Sequence, residues 1–161
     1  MQLSLFEEVP QMTTDDKVNI LLSLNNVYFQ RMLNGTKKYE YRFAFPKSEV
    51  RAYIYVPKDV KAISGYVDLA RPIMGTPEEI STIYENCGDG NYMSMLNYIE
   101  KNEVAYAMKI ERVVAFKRPI RYETLRMRFP DFTAPQSYII LDKRPDLLKY
   151  IVETANDGLA F

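Results

Sequence analysis

Short apolar blocks divide the chain, and the spacing of the apolar residues changes from block to block. Alternating or continuous apolar segments predict strands at 18–24, 37–43, 51–57, 61–70, 103–120 and 134–141. Apolar residues three and four positions apart predict helices at 25–35, 76–88, 91–102 and 144–157, with a short helical turn at 121–129. The strands are short and numerous, and they do not alternate with helices as in repeated βαβ units.

This order of elements favours an α+β fold, in which a small mixed β-barrel carries helices on its outside. Neither an internal repeat nor a linker-like segment divides the chain. Residues 1–16 are mostly polar with one apolar patch, and they are expected to form a flexible N-terminal tail. Residues 17–161 are expected to form one domain that includes the C-terminal helix.

Glycine and capping residues mark where several elements begin and end. Gly35 suits the left-handed residue that stops the first helix. Gly65, inside a predicted strand, indicates a bulge or a close approach of two backbones. Thr76 followed by Pro77 is typical of a helix start. On the first helix, four apolar residues are expected to share one face: Tyr28, Phe29, Met32 and Leu33.

The composition excludes several functional classes. With 21 basic and 21 acidic residues, bulk charge cannot hold the chain on nucleic acid, although a local basic cleft remains compatible. The absence of histidine removes Ser-His-Asp and Cys-His catalysis and the usual zinc sites, and neither a metal site nor a cofactor is expected. The single cysteine, Cys87, indicates a reducing compartment. Without a long apolar run or a secretory signal, the expected location is the cytoplasm.

The stretch NGTKKYEYR, after the first helix, carries the most informative cluster of charges. Residues two apart on a strand share a face, so Glu40 and Arg42 are expected to point the same way. Lys37 precedes the strand and can curl toward them. Tyr41 and Phe43 alternate with these residues and are expected to face the other way. A carboxylate and two cations would then meet beside the end of a helix.

The same stretch lies in a segment, ILLSLNNVYFQRMLNGTKKYEYR, that resembles the opening of ASCH domains, members of the PUA-like superfamily. The ASCH signature, G-x-K-x-x-E-x-R, is present here as Gly35, Lys37, Glu40 and Arg42. Three later stretches resemble the family in the same order: AYIYVPKDVKAISGYVDL, EVAYAMKIERVVAFKRPI and APQSYIIL. The resemblance covers most of the chain, from position 18 to position 141.

The resemblance implies a PUA-like β-barrel with a cleft between barrel and helices, lined by the signature residues. It also implies recognition of RNA, DNA or a modified nucleotide. The expected ligand-binding residues are Gly35, Lys37, Glu40, Arg42, Gln136 and Ser137. The alternative for the charged residues is a set of salt bridges that fixes the helix to the barrel.

Some ASCH-like proteins resemble small amidohydrolases that deacylate N4-acylated cytidine, and others are associated with RNA cleavage. If this chain is an enzyme, Lys37 is the expected base, with Glu40 or Asp68 assisting. The amidohydrolase-like members carry a nucleophilic threonine at the position of Glu40, and a glutamate where Asp68 is the nearest match. The absence of the threonine counts against that reaction here.

The N-terminal tail contains QLSLF, which resembles the pentapeptide by which bacterial polymerases and repair proteins bind the sliding clamp. In that motif the apolar residues fill a hydrophobic pocket and the glutamine makes polar contacts. The expected partner-binding residues are Gln2, Leu3, Leu5 and Phe6. Their alternative is packing on the chain's own domain. The clamp hypothesis implies a bacterial protein, or a phage protein in the host cytoplasm.

Three functions therefore stand beside each other. The first is binding of nucleic acid or a modified nucleotide through the signature cleft. The second is hydrolysis of a modified nucleoside or RNA. The third is a pure interaction protein that occupies the sliding clamp.

Overall fold

A computed structural model describes residues 17–159 of the 161-residue chain. The predicted tail, residues 1–16 with its QLSLF segment, lies outside the described residues, so both hypotheses about it stay predictions. None of the helices within residues 17–159 is long and apolar enough to cross a membrane.

Within this range the chain forms seven strands, five α-helices and one 3-10 turn. The strands are β1 Val18–Ser23, β2 Tyr39–Arg42, β3 Val50–Val56, β4 Ala62–Leu69, β5 Ile73–Gly75, β6 Ala105–Arg121 and β7 Tyr138–Ile140. The helices are α1 Asn26–Leu33, α2 Pro77–Asn86, α3 Tyr92–Ile99, α4 Tyr122–Arg128 and α5 Pro145–Leu159, with the 3-10 turn at Leu141–Lys143.

The strands form one curled, mixed sheet in the order β2-β6-β4-β3-β1-β7, and β5 pairs with β6 beside this path. The β1–β3 pair is parallel and the other pairs are antiparallel. Strands β2 and β7 lie at the two ends of the order, so the sheet curls without a β2–β7 ladder. The predicted α+β fold, with a curled mixed sheet and flanking helices, is confirmed.

The long strand β6 belongs to two parts of the sheet. Its first residues pair with β2 and β5, and the rest of the strand pairs with β4 through two register shifts. One shift lies beside Gly65, where a Cβ would overlap the carbonyl oxygen of Val114 on β6. The predicted close approach at Gly65 is therefore present. Strand β6 therefore joins β2 and β5 to the main sheet.

Three apolar clusters hold the helices on this sheet. The first covers one sheet face, with Ile20, Leu22 and Ile54, and receives Phe29 and Met32 of α1. The second covers the opposite face, where α4 and α5 pack. The third holds α2 and α3 against β2 and β6. Because strand side chains alternate between faces, a sheet covered on both sides accounts for the apolar runs in β1 and β3.

The boundaries differ from the predictions where local signals are weak. On α1 only Phe29 and Met32 are buried, whereas Tyr28 and Leu33 are exposed. The predicted strand at 134–141 shortens to β7, because residues 134–137 form a loop. Strand β5 has only three residues, too few to show a periodic pattern. Helix α2 begins as predicted, with the Thr76 side chain accepting from the Glu79 amide.

Candidate functional site

Helix α1 ends in a turn that delivers Lys37 to the start of β2. Gly35 has a φ of +81°, and its amide donates to the Met32 carbonyl. The amides of Thr36 and Lys37 both donate to the Arg31 carbonyl, at 3.0 Å each. These bonds satisfy carbonyls that the helix end leaves unpaired, a Schellman-type stop that favours glycine. The signature glycine therefore positions the signature lysine.

Lys37, Glu40 and Arg42 meet around a single carboxylate, as the sequence predicts. Lys37 Nζ lies 3.4 Å from Glu40 Oε1, and Arg42 Nε donates to Glu40 Oε2 at 2.7 Å. Glu40 is only 4% exposed, so the two cations compensate the cost of burying its charge. The cluster carries one net positive charge and presents both cations at a surface that a ligand can reach.

Arg42 also connects β2 with the segment before β7. Its Nη1 atom donates to Ser137 Oγ at 3.3 Å. On the other side of that segment, the Ser23 amide donates to the Ser137 carbonyl at 3.0 Å, and the Ser23 hydroxyl donates to the Pro135 carbonyl. Side chains therefore bring together the two ends of the curled sheet, β2 and β7. We call this junction the seam.

A cleft of about 1050 Å³ opens along the seam. Its charged residues are Lys37, Glu40 and Arg42, and among the described residues that line it Glu40 is the only carboxylate. Asn25, at the N-terminus of α1, also lines it and uses its side chain in no capping bond. The aromatic residues in the lining are Tyr28, Tyr41, Phe43, Tyr84, Tyr98 and Tyr138.

Tyr41 joins the cleft in a way that strand alternation alone does not predict. It faces the third cluster, opposite Glu40, yet its ring lies 5.2 Å from Lys37 Nζ and lines the cleft. Phe43 lines the cleft too. Tyr41 does face away from Glu40, as expected, but both residues still line the cleft. We attribute this to the position of β2 at the edge of the sheet.

The Tyr41 hydroxyl is held by the loop between α2 and α3. It donates to Asp89 Oδ2 at 3.0 Å and lies 3.6 Å from Cys87 Sγ. Burial, the hydrogen bond with Cys87 and the charge of Asp89 together raise the pKa of Tyr41 far above its ordinary value. Tyr41 therefore stays neutral, and it serves as a fixed aromatic surface beneath Lys37.

Asp89 anchors the approach to β2 as well. Its carboxylate accepts from the Lys38 amide at 2.7 Å and from the Tyr39 amide at 3.1 Å. With the Tyr41 hydroxyl, it satisfies three donors from one short segment. The charged cluster is therefore held from both sides, by the α1 turn before Lys37 and by Asp89 after it. No sequence signal for this contact lies near the signature, since Asp89 is 50 positions downstream of Tyr39.

Asp68 lies elsewhere on the sheet. It is not among the described residues that line the cleft, and it accepts two hydrogen bonds from Arg51, at 2.8 and 3.0 Å. Lys17 Nζ lies 3.3 Å from the same carboxylate. Burial alone would raise the pKa of Asp68, but the hydrogen bonds and charge of Arg51, helped by Lys17, hold it below the ordinary value. The structure therefore does not bring Asp68 to Lys37 and Glu40.

Of the other predicted ligand-binding residues, two line the cleft and one does not. Gln136 and Ser137 are exposed and line the cleft with the signature side chains. Gly35 is not among the described residues that line it, and acts through the turn. Sequence reasoning missed Tyr28, Tyr84 and Tyr98, of which Tyr28 and Tyr98 are exposed. For Tyr98 the sequence does offer a signal. Met95 and Ile99 lie four positions apart on the buried face of α3, and Tyr98 falls outside that face.

Within residues 17–159, no group of three or more His, Cys, Asp or Glu side chains could hold a metal ion. The arrangement instead offers two cations, aromatic faces and loop amide and hydroxyl groups. Cations of this kind bind phosphate or carboxylate groups, and the aromatic faces accept planar rings.

The sequence matches no protein-family model, and a search among curated proteins also finds no match. The fold, however, has solved counterparts. The ASCH protein of Zymomonas mobilis, ZmASCH, superimposes with a TM-score of 0.67 at 23% identity, covering 83% of this chain and 96% of that one. A serine-to-alanine variant of ZmASCH gives 0.68 at 23% identity, covering 84% and 97%. A tyrosine-to-phenylalanine variant gives 0.67 at 22% identity, covering 83% and 98%. The chain therefore has the fold of an ASCH domain, as its signature predicts.

Proposed function

We propose that this protein binds nucleic acid or a modified nucleotide in the cleft along the seam. One observation carries the proposal: two cations share a single buried carboxylate at the base of a cleft walled by aromatic rings. The excess positive charge of the cluster faces a cleft of about 1050 Å³, which favours ligand binding over a purely structural set of salt bridges. The ASCH resemblance of the sequence implies the same class of ligand.

Arg42 is arranged to contact a phosphate. A guanidinium has five N–H donors, and the contacts with Glu40 and Ser137 use two of them. Both contacts fix the plane of the guanidinium before any ligand arrives. A fixed, planar donor set loses little entropy when it binds an oxyanion, so its hydrogen bonds contribute more to affinity.

Lys37 and the tyrosines supply the second half of the site. The ammonium group lies 5.7 Å from the centre of the Tyr28 ring and 5.2 Å from that of Tyr41. A base entering the cleft would stack on one of its exposed aromatic faces while its phosphate approaches the cations. Gln136 and Ser137, on the opposite wall, offer groups that can contact base edges.

The test is a binding measurement by fluorescence anisotropy. The probes are fluorescein-labelled single-stranded RNA and DNA of random sequence, with a duplex of equal length for comparison. We expect Lys37→Ala and Arg42→Ala each to weaken binding by about tenfold to a hundredfold, because a hydrogen bond to a charged group contributes about 1.5–3 kcal/mol. The slope of log Kd against log salt should fall by about one for each cation removed.

The matched control is Lys149→Ala, which removes an exposed lysine from α5, away from the cleft. It should bind as the wild type does. Circular dichroism and thermal melting confirm that each variant is folded. Binding that is equally strong in wild type, Lys37→Ala and Arg42→Ala would refute the proposed site. Nucleosides, including N4-acetylcytidine, are tested in the same way by thermal shift.

The hydrolase alternative rests on the 3.4 Å contact between Lys37 and Glu40. An assisting role for Asp68 has no support, since that carboxylate is paired with Arg51 and Lys17. Chromatography of N4-acetylcytidine and labelled RNA after incubation with the protein decides the matter. Product that disappears in Lys37→Ala favours an enzyme, and unchanged substrate favours a binding protein.

The proposed function also includes recruitment to the sliding clamp through QLSLF, on sequence grounds alone. A pull-down with purified clamp compares the wild type with the Leu5→Ala, Phe6→Ala double variant. Loss of binding supports docking by the tail, and undiminished binding by the double variant would refute it.

A further inference from the structure

Two exposed aromatic rings extend the cleft beyond its charged centre. Phe43, just after β2, and Tyr98, on α3, are 41% and 64% exposed. Their ring centres are 5.3 Å apart, with an interplanar angle of 33°. Both residues line the same cleft as Lys37 and Arg42. We call this pair the aromatic shelf.

The shelf is not needed to hold α3 on the domain. The buried residues of α3 are Met95 and Ile99, which pack in the third cluster, and Tyr98 lies outside that stripe. Aromatic surface that stays exposed to water adds little to the stability of the fold and favours aggregation. An exposed aromatic pair beside a cleft therefore indicates a binding surface.

The position of the shelf indicates what binds there. Phe43 and Tyr98 line the same cleft as the Arg42 guanidinium that is arranged for a phosphate. Aromatic faces next to a cationic groove are the features by which proteins hold single-stranded nucleic acid. A purely apolar partner would leave the nearby cations unmatched, whereas a strand of nucleotides matches both the charge and the rings.

The size of the cleft agrees with a ligand larger than a nucleoside. Pockets for small molecules range from about 300 to 1,000 Å³. This cleft, at about 1050 Å³ with Phe43 and Tyr98 in its lining, lies at the top of that range. We infer that the ligand is a single-stranded polynucleotide, with one base at the Lys37–Glu40–Arg42 centre and the neighbouring base stacked on Phe43 and Tyr98. This inference rests on the proposed function and narrows its ligand from nucleotides in general to a strand.

The experiment compares a strand with single nucleotides on the same variants. The probes are fluorescein-labelled RNA and DNA pentanucleotides of random sequence, and the competitors are the four nucleoside monophosphates. We expect Tyr98→Ala to weaken pentanucleotide binding about tenfold, as for the loss of one stacked base, and to leave competition by the monophosphates unchanged. Tyr98→Phe, which keeps the ring, should bind the pentanucleotide nearly as tightly as the wild type.

Met127→Ala serves as the control, because Met127 is an exposed apolar residue on α4 at 85% exposure and is not among the described residues lining the cleft. It should leave both kinds of binding unchanged. Pentanucleotide binding by Tyr98→Ala at the wild-type level would overturn the inference. Equal weakening of pentanucleotide and monophosphates would also overturn it, because the shelf would then belong to the site of a single nucleotide.

The variants distinguish failure of the inference about the shelf from failure of the proposed function. If Lys37→Ala loses the pentanucleotide while Tyr98→Ala keeps it, the cleft binds nucleic acid and the inference about the shelf alone is wrong. If the wild type binds neither pentanucleotide nor monophosphate, the proposed function fails, and the shelf inference fails with it.

Discussion

At position 65 a glycine lies where α1, β4 and β6 come closest together. A Cβ there would overlap the Val114 carbonyl oxygen and come within 2.8 Å of the Phe29 ring. Gly65 therefore sets the depth at which α1 sits on the sheet. Since α1 ends at the turn that delivers Lys37, the missing side chain at position 65 bears indirectly on the geometry of the cleft.

Gly65→Ala is expected to lower the free energy of unfolding by about 3 kcal/mol or more, because backbone atoms on β6 cannot move aside without breaking the ladder. Urea denaturation followed by circular dichroism measures the change. The neighbouring substitution Ser64→Ala, which removes only a hydroxyl bonded to the Ala62 carbonyl, should cost about 1 kcal/mol. Equal effects of the two changes would show that the close approach at Gly65 relaxes easily.

At the scale of the elements, a loop between two helices holds a strand. Asp89 lies between α2 and α3, and it accepts from the Lys38 and Tyr39 amides and the Tyr41 hydroxyl. The edge strand β2 thereby gains fixed partners at its start. Because Glu40 and Arg42 lie on this strand, the loop fixes their positions without contacting them.

Asp89→Asn is expected to lower the free energy of unfolding by about 1–3 kcal/mol, since an amide offers one acceptor oxygen where the carboxylate offers two. RNA affinity should fall as well, because the start of β2 loses an anchor. Paired urea titrations and anisotropy measurements test both effects. Asp59→Asn, in an exposed turn, is the control and should change neither. Unaltered stability in Asp89→Asn would contradict the anchoring role.

Elements with strong local signals could be predicted, and contacts between distant segments could not. Thr76 and Pro77 start α2, and Gly35 ends α1, because capping and left-handed backbone are decided within a few residues. The cluster of Lys37, Glu40 and Arg42 follows from the same local spacing. The place of Tyr41 depends on β2 being an edge strand, and that of Asp68 on its pairing with Arg51 across the β3–β4 ladder. Both are properties of the assembled sheet.

At the scale of the whole molecule, the sheet carries two separate charged clusters with different settings. One lies in the cleft and shares a carboxylate between Lys37 and Arg42. The other holds Asp68 between Arg51 and Lys17, with the Arg51 guanidinium 4.2 Å from the Tyr66 ring centre. This second cluster ties the start of the described chain to β3 and β4, so we assign it to stability.

The second cluster should make stability depend on acid. The pKa of Asp68 is held below its ordinary value of 3.8, so the folded state prefers the carboxylate. That contribution is fully present above about pH 4 and is lost as the pH falls through the lower, folded-state pKa. Asp68→Asn should therefore cost about 2 kcal/mol at pH 7, and the difference from wild type should shrink below pH 4.

Urea titrations of both proteins between about pH 2 and pH 8, a range that spans the titration of carboxylates, measure this dependence. Asp131→Asn is the control, because the Asp131 side chain is exposed and its contact with Arg144 is long, at 3.9 Å. It should change stability by less than about 1 kcal/mol at every pH. A constant difference between wild type and Asp68→Asn over the whole range would contradict the assignment.

The seam has a consequence for how binding and folding are coupled. The two ends of the curled sheet meet through side chains and loop carbonyls, without a β2–β7 ladder between them. A ligand held by Arg42 on one side and Gln136 and Ser137 on the other would act as a clasp across this junction. Amide hydrogen exchange in β2 and β7 should then slow on binding, while the exchange of β3 and β4 stays the same. The ligand would complete a barrel that the chain leaves open.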